Sequence, residues 1–86
     1  MKFTVLWSPD AENDLATLWL SADSRAEISA AADAIDAILR EDAHFLGEYR
    51  SGRVRVLYSP PLAIHFEVLE DDCIARVLTV WRPLRS

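Results

Sequence analysis

The sequence predicts an α+β fold: an N-terminal strand, an antiparallel helical hairpin, then a three-stranded antiparallel meander, all in one sheet. Three observations carry that expectation. Two apolar runs near the end, Leu62 to Leu69 and Cys73 to Trp81, are joined only by Glu70-Asp71-Asp72 and read as a β-hairpin. In the first run Leu62, Ile64, Phe66 and Val68 alternate with Ala63, His65, Glu67 and Leu69, the period that separates the two faces of a sheet. Ahead of them lie two stretches with helical spacing, and ahead of those a short alternating segment.

In order, Lys2 to Trp7 sets Phe3, Val5 and Trp7 against Lys2, Thr4 and Leu6, which predicts the first strand. Ser8-Pro9 ends it and starts a helix, because Ser8 can accept from a free first-turn N–H and Pro9 has none to waste. Asp10 and Glu12 suit the positive end of the helix dipole, and Ala11, Leu15, Leu18, Trp19 and Ala22 give an apolar face through about residue 22. Trp19 is expected in the core. Ser24-Arg25-Ala26-Glu27 is a capping-box pattern, followed at helical spacing by Ile28, Ala31, Ala32, Ile35, Ile38 and Leu39. The short Asp23-Ser24 link makes the helices antiparallel neighbours, and Asp33, Asp36, Arg40 and Glu41 read as a solvated face.

Residues 43–52 read as an irregular connection, with Phe45 tucked into the edge of the core. Arg53 to Tyr58 alternates charged with apolar, a strand with Arg53 and Arg55 on one face. Ser59-Pro60-Pro61 forces a turn. The hairpin follows, its second run apolar on both faces except at Arg76, as an inner strand covered on both sides would be. Arg82-Pro83-Leu84-Arg85-Ser86 forms a basic tail.

The chain has 86 residues, 51% of them hydrophobic and two of them glycine, which predicts one ordered domain over residues 1–86 with no second core. Cys73 is the one cysteine, so neither an internal disulfide nor a multi-cysteine zinc cluster can form. No cofactor or metal is expected. With no charged-then-apolar leader and no apolar run near ~18 residues, a cytoplasmic, non-membrane protein is expected. Charge is uneven: residues 1–46 hold three basic and nine acidic side chains, whereas residues 47–86 hold six arginines and five acids. With a net charge of −5, the chain is a poor candidate for non-specific nucleic-acid binding, although its second half has Arg for a local phosphate or carboxylate site.

The opening VLWSPDAENDLATLW, the later RVRVLYSPPLAIHFEV and the closing IARVLTVWR resemble the RelE/ParE family of toxins from bacterial type II toxin-antitoxin systems. The likeness spans nearly the whole chain. It implies a growth-inhibiting toxin, of the kind tied to plasmid stabilization, that a cognate antitoxin neutralises. It also implies one of two targets: messenger RNA cut at the ribosome by RelE-like members, or DNA gyrase inhibited by ParE-like members. A third class is an inactive member that retains only antitoxin binding.

Metal-free RNA cleavage requires a base for the ribose hydroxyl, cations for the phosphate and an acid for the leaving oxygen. The resemblance places Arg53, Arg55 and Arg82 as the cations; the candidate base is read from the strand pattern, which sets His65 on the face opposite Ile64 and Phe66. Their bland readings are a solvent face or ion pairs to Glu48 and Glu67 for the arginines, and a hydrogen-bonded structural side chain for His65. His44 is a weaker base in a loop. The RelE-like pattern departs at Ala63, where Arg is expected, and beyond the last strand, where a catalytic Tyr or His is expected and none is read up to Ser86; Tyr49 or Tyr58 would have to substitute. These departures and the acidic composition favour the ParE-like branch. Antitoxin contacts are expected on the apolar helix edge and the free sheet edge, at Leu15, Trp19 and Trp81. Cys73 has neither a basic neighbour nor a helix N-terminus to activate it.

Overall fold

A computed structural model describes residues 2–83; the side chains of residues 49–51 are outside the description, as is the end of the basic tail at residues 84–86. The elements run β1 (Thr4–Trp7), α1 (Pro9–Ser21), α2 (Arg25–Asp42), a 3-10 turn (Ala43–Phe45), β2 (Glu48–Ser51), β3 (Val54–Ser59), β4 (Leu62–Leu69), a second 3-10 turn (Glu70–Asp72) and β5 (Ile74–Trp81). They form a five-stranded sheet in the order β1-β5-β4-β3-β2, antiparallel throughout except where β1 runs parallel to β5. The predicted α+β order holds, and the hairpin of β4 and β5 sits in the middle of the sheet.

The helices form where local chemistry starts them. Ser8 Oγ accepts from Ala11 N–H at 3.1 Å, and Ser24 Oγ accepts from Glu27 N–H at 3.3 Å, so each helix has a serine satisfying a first-turn donor. The hairpin covers one face of the sheet. Ile28, Ala31, Ile35 and Leu39 of α2 and Ala11 of α1 meet Leu62, Ile64, Phe66, Val77 and Val80 in the core. Each large side chain buried there contributes roughly 1.5–3 kcal/mol, so the core rests mainly on the period-two face of β4 and the apolar stripe of α2.

Three hydrogen bonds, from the N-cap and the second turn of α1, fix it to β5. β1 ends opposite Val77, leaving the backbone of β5 beyond that point without a strand on this side. Ser8 N–H donates to Val77 O at 2.9 Å, Ser8 Oγ donates to Leu78 O at 3.0 Å, and Asp14 Oδ2 accepts from Val80 N–H at 3.2 Å. Side chains of the cap and first turns thus replace a missing strand as hydrogen-bond partners. At the far end of α2, the Arg40 carbonyl accepts from Phe3 N–H at 2.7 Å, so the helix end and the start of β1 satisfy each other.

Several expectations are corrected. The connection after α2 is not irregular: it contains a 3-10 turn and β2, which extends the meander from three strands to four. The hydrophobic period of residues 48–51 is too short to reveal an edge strand held by backbone pairing to β3. Gly47 makes the entry, with φ of +79° and a position where a Cβ would lie 2.9 Å from both Phe66 Cε1 and Val56 O. Phe45 is not in the core but 84% exposed, because the 3-10 turn aims it outward, edge-on to His44. Trp19 is 37% exposed on the helix hairpin instead of buried. Arg53 falls in the β2–β3 turn, one residue before β3, so it does not share a strand face with Arg55. Finally, β5 is covered by helices on one face only: Ala75, Val77 and Val80 are buried, Ile74, Thr79 and Trp81 half-buried, and Arg76 exposed.

Candidate functional site

Two regions collect the residues singled out from the sequence. The first is the end of the sheet where the β2–β3 and β4–β5 turns meet. A depression of about 460 Å³ there is lined by Gly52, Arg53, Arg55, Val68, Leu69, Glu70, Asp71 and Asp72. Arg53 and Arg55 are therefore brought to one place, but His65 and Arg82 are not among its walls.

The two arginines differ in what their guanidinium groups do. Arg55 pairs in register with Phe66, a core residue, so its side chain points to the helical face of the sheet and is buried at 7% exposure. Its Nη1 donates to Ala43 O at 3.0 Å and His44 O at 2.8 Å, with a longer contact to Leu46 O at 3.4 Å. It thereby binds the carbonyls of the turn that follows α2, a role that side chains commonly fill at helix ends. Glu67, one of the two acids expected to pair with it, instead bonds Arg76 across the β4–β5 ladder. Arg53 is exposed, and it faces a depression whose other wall is Glu70, Asp71 and Asp72. A phosphate entering there would meet an acidic wall of Asp71 and Asp72 beside Glu70, whose carboxylate is held by His44, and like charge repels it.

His65 lies on the open face of the sheet, opposite in sense to Ile64 and Phe66, in a row with Val56 and Thr79. Its Nδ1 is 2.8 Å from Thr79 Oγ1, and its ring lies 4.6 Å from that of Trp81, tilted by 37°. These contacts hold the imidazole on the sheet. Tyr58, Ala63 and Trp81 form the next row of the same face, and Arg82, exposed, follows the strand. Tyr49 has its side chain outside the described residues. His44 bonds Glu70 Oε1 through Nδ1 at 2.8 Å, on the surface. Cys73 takes a left-handed backbone conformation between the 3-10 turn and β5, its Sγ 3.7 Å from Glu70 O.

The second region is the crevice between the helices. Leu15, Ala16, Trp19 and Leu20 of α1 and Ile28, Ser29 and Ala32 of α2 line a cavity of about 610 Å³. Through Glu12, Leu15, Ala32 and Asp33 it continues into a second cavity, of about 740 Å³, that reaches Val5, Leu6 and Trp7 of β1 and Asp36 of α2. Alanines at 16 and 32 keep the floor low. Trp19 forms one wall, its Nε1 donating to Ser29 Oγ at 3.1 Å and its ring carrying the Arg25 guanidinium 4.5 Å from the centroid. Of the expected partner contacts, Leu15 and Trp19 lie in this crevice; Trp81 lies on the open sheet face, against His65. Sequence reasoning took Asp33 and Asp36 for a plain solvated face and so missed that they border the crevice. The signal was present in the adjacent Ala32, too small to close the gap to α1.

Neither a protein-family model nor a curated protein matches the chain. Its architecture, however, is shared with solved structures. A chain of the toxin-antitoxin complex RelBE2 from Mycobacterium tuberculosis superposes with a TM-score of 0.80 at 14% identity, over 96% of this chain and 93% of that one. The fold is RelE/ParE-like. Two further structures agree across bacteria and archaea: a chain of the chromosomal ParDE system from P. aeruginosa, with a TM-score of 0.70, 17% identity and coverage of 96% and 98%, and one of the RelE-RelB complex from Pyrococcus horikoshii, with a TM-score of 0.71, 13% identity and full coverage of both chains at 100%. In this RelE/ParE-like chain Arg55 at the sheet end is engaged by internal hydrogen bonds while Arg53 stays exposed, and the crevice between the helices is open. No helix among the described residues is long and apolar enough to cross a membrane.

Proposed function

We propose that this chain, acting as one domain over residues 1–86, is the toxin of a type II toxin-antitoxin pair in the cytoplasm, neutralised by a cognate antitoxin, and that it inhibits DNA gyrase through its surface in the ParE-like manner. The RelE/ParE-like fold supports the first part, since the matching structures are toxin-antitoxin systems. The observation that carries the second is the engagement of Arg55 by the carbonyls of Ala43 and His44, which ties one of the arginines needed for phosphate chemistry into the fold. The carboxylates facing Arg53 point the same way. A protein surface needs no cation cluster and no positioned base, so nothing in this arrangement opposes inhibition by binding.

A RelE-like nuclease is favoured by one feature, the open sheet face where His65 and Trp81 lie in contact and Tyr58 sits in the next row. The two readings separate in one experiment: induce the chain alone in a bacterium, and follow growth, messenger RNA integrity and plasmid supercoiling in the same cells. Growth arrest with intact messages and lost supercoiling is the expected result. Arrest with cut messages would transfer the assignment to the nuclease and to His65, and unimpaired growth would overturn the toxin reading and leave antitoxin binding alone.

A further inference from the structure

β5 carries one residue more than its ladder with β4 uses. His65 pairs with Thr79 and the next residue, Phe66, with Val77, so Leu78 is extra and forms a β-bulge. The bulge decides which way the end of β5 faces. Val77 and Val80, three apart, are both buried on the helical face, whereas Thr79 and Trp81 lie on the open one, in the rows of His65 and Ala63. Unbroken pairing onward from Val77 would set Leu78 opposite His65 and Thr79 opposite Ile64, which sends Thr79 and Trp81 toward the core. The two side chains that the bulge turns outward are the two that hold His65: Thr79 Oγ1 lies 2.8 Å from its Nδ1, and the Trp81 ring lies 4.6 Å from the imidazole.

The bulge is held along the other edge of β5 by α1. Ser8 N–H donates to Val77 O at 2.9 Å, Ser8 Oγ donates to Leu78 O at 3.0 Å, and Val80 N–H donates to Asp14 Oδ2 at 3.2 Å. These bonds bracket the extra residue: one before it, one on it and one beyond it. We propose that Ser8 and Asp14 are positioning residues for His65: by fixing the Leu78 bulge they set Thr79 on Nδ1 and Trp81 against the ring, so that the open face presents an imidazole of one tautomer with Nε2 as its remaining nitrogen. The hydrogen bond made at one ring nitrogen sets the role of the other. Ser8 and Asp14 act through the backbone of β5, from the helical side of the sheet. The inference holds whichever target the toxin reading assigns, because it concerns how the imidazole is held and not what it meets.

The test is nuclear magnetic resonance of the full chain with isotope-labelled histidine, at a pH high enough to keep imidazole neutral, with melting curves to show that each variant is folded. In the parent, His65 should show one dominant tautomer and ring protons shifted upfield by Trp81. His44, the other histidine of the chain, bonds Glu70 on the surface and is the control within the molecule. Ser8→Asp keeps a side chain that caps the helix but has no proton for Leu78 O, and Asp14→Ala removes the acceptor of Val80 N–H. Each change should mix the His65 tautomers and lose part of the upfield shift, and the two together should lose most of it, with His44 unmoved. Ser8→Thr keeps the donor and Asp14→Asn keeps an acceptor, so both should give the parental spectrum. Ile35→Val loosens the core without touching the bulge and should also leave His65 as it was. A parental His65 spectrum in folded Ser8→Asp and Asp14→Ala chains, or an equal change on Ile35→Val, would overturn the proposal. Inducing the same variants in cells keeps its failure apart from that of the toxin reading. Growth arrest with a displaced His65 supports the positioning and counts against the nuclease; growth arrest with an undisturbed His65 overturns the positioning and spares the toxin.

Discussion

The Arg-bearing end of the sheet and the crevice between the helices contain similar numbers of charged residues but use them in opposite ways. At the sheet end the polar groups are consumed inside the molecule: Arg55 by the carbonyls after α2, His44 by Glu70, and nearby Glu67 by Arg76. In the crevice, apolar side chains stand half-exposed and two carboxylates face solvent without an ion pair among the described residues. The difference teaches that residue type alone does not place function. An arginine two positions from another on a strand-like stretch looks like phosphate chemistry, while its register decides whether it meets solvent or the end of a helix.

The sharpest way to break this comparison is to remove Arg55. If its guanidinium is structural, Arg55→Ala strips hydrogen bonds from the buried carbonyl of Ala43 and from that of His44, and should cost about 2–3 kcal/mol, the range for bonds to a charged donor. Thermal unfolding should then fall by roughly 10 °C or more. Arg55→Lys should recover only part of the loss, since an ammonium lacks the flat fork that reaches neighbouring carbonyls. An unchanged melting temperature for Arg55→Ala would return this arginine to the list of groups available for catalysis.

How far the sequence alone reaches is visible in these same residues. Signals with a period or a cap were legible: Ser8 and Ser24 start helices as their hydroxyls predict, and Leu62, Ile64, Phe66 and Val68 face the core as their alternation predicts. Features set by pairing between distant segments were not. Nothing local in residues 48–51 announces β2, whose existence depends on Glu48 and Tyr49 pairing with Val56 and Arg55. The exposure of Phe45 follows from the same turn, and the half-exposure of Trp19 from the alanines that keep α1 and α2 from closing over it. For the candidate site, sequence singled out Leu15 and Trp19, which line the crevice, but not Glu12 and Asp33 at its edge, because a carboxylate on a helix looks identical whether it borders water or a groove.

A smaller effect is expected from Asp14, which links α1 to the unpartnered backbone of β5. Asp14→Ala leaves Val80 N–H without its acceptor and should cost about 1–2 kcal/mol, read as a shifted urea midpoint with an unchanged slope. Hydrogen exchange at the Val80 N–H should accelerate more than at the Ser8 N–H, which keeps its bond to the Val77 carbonyl. Equal acceleration at both would mean that the α1 start holds β5 as one unit.

The smallest effect falls at Arg53, and it is the most informative about function. Arg53 lies exposed in the β2–β3 turn, so Arg53→Ala should change stability by no more than about 0.5 kcal/mol, as surface substitutions do. Any change in growth inhibition therefore reports chemistry and not folding, which cannot be said of Arg55→Ala. Under the ParE-like proposal, the variant should arrest growth as the parent does, since Arg53 sits at the opposite kind of surface from the crevice and faces its own carboxylates. A nuclease that uses this guanidinium on its phosphate should instead lose most of its message cleavage at full stability. Growth and messenger RNA integrity measured on this one variant, beside its melting curve, thus decide whether the sheet end does chemistry or only holds the fold together.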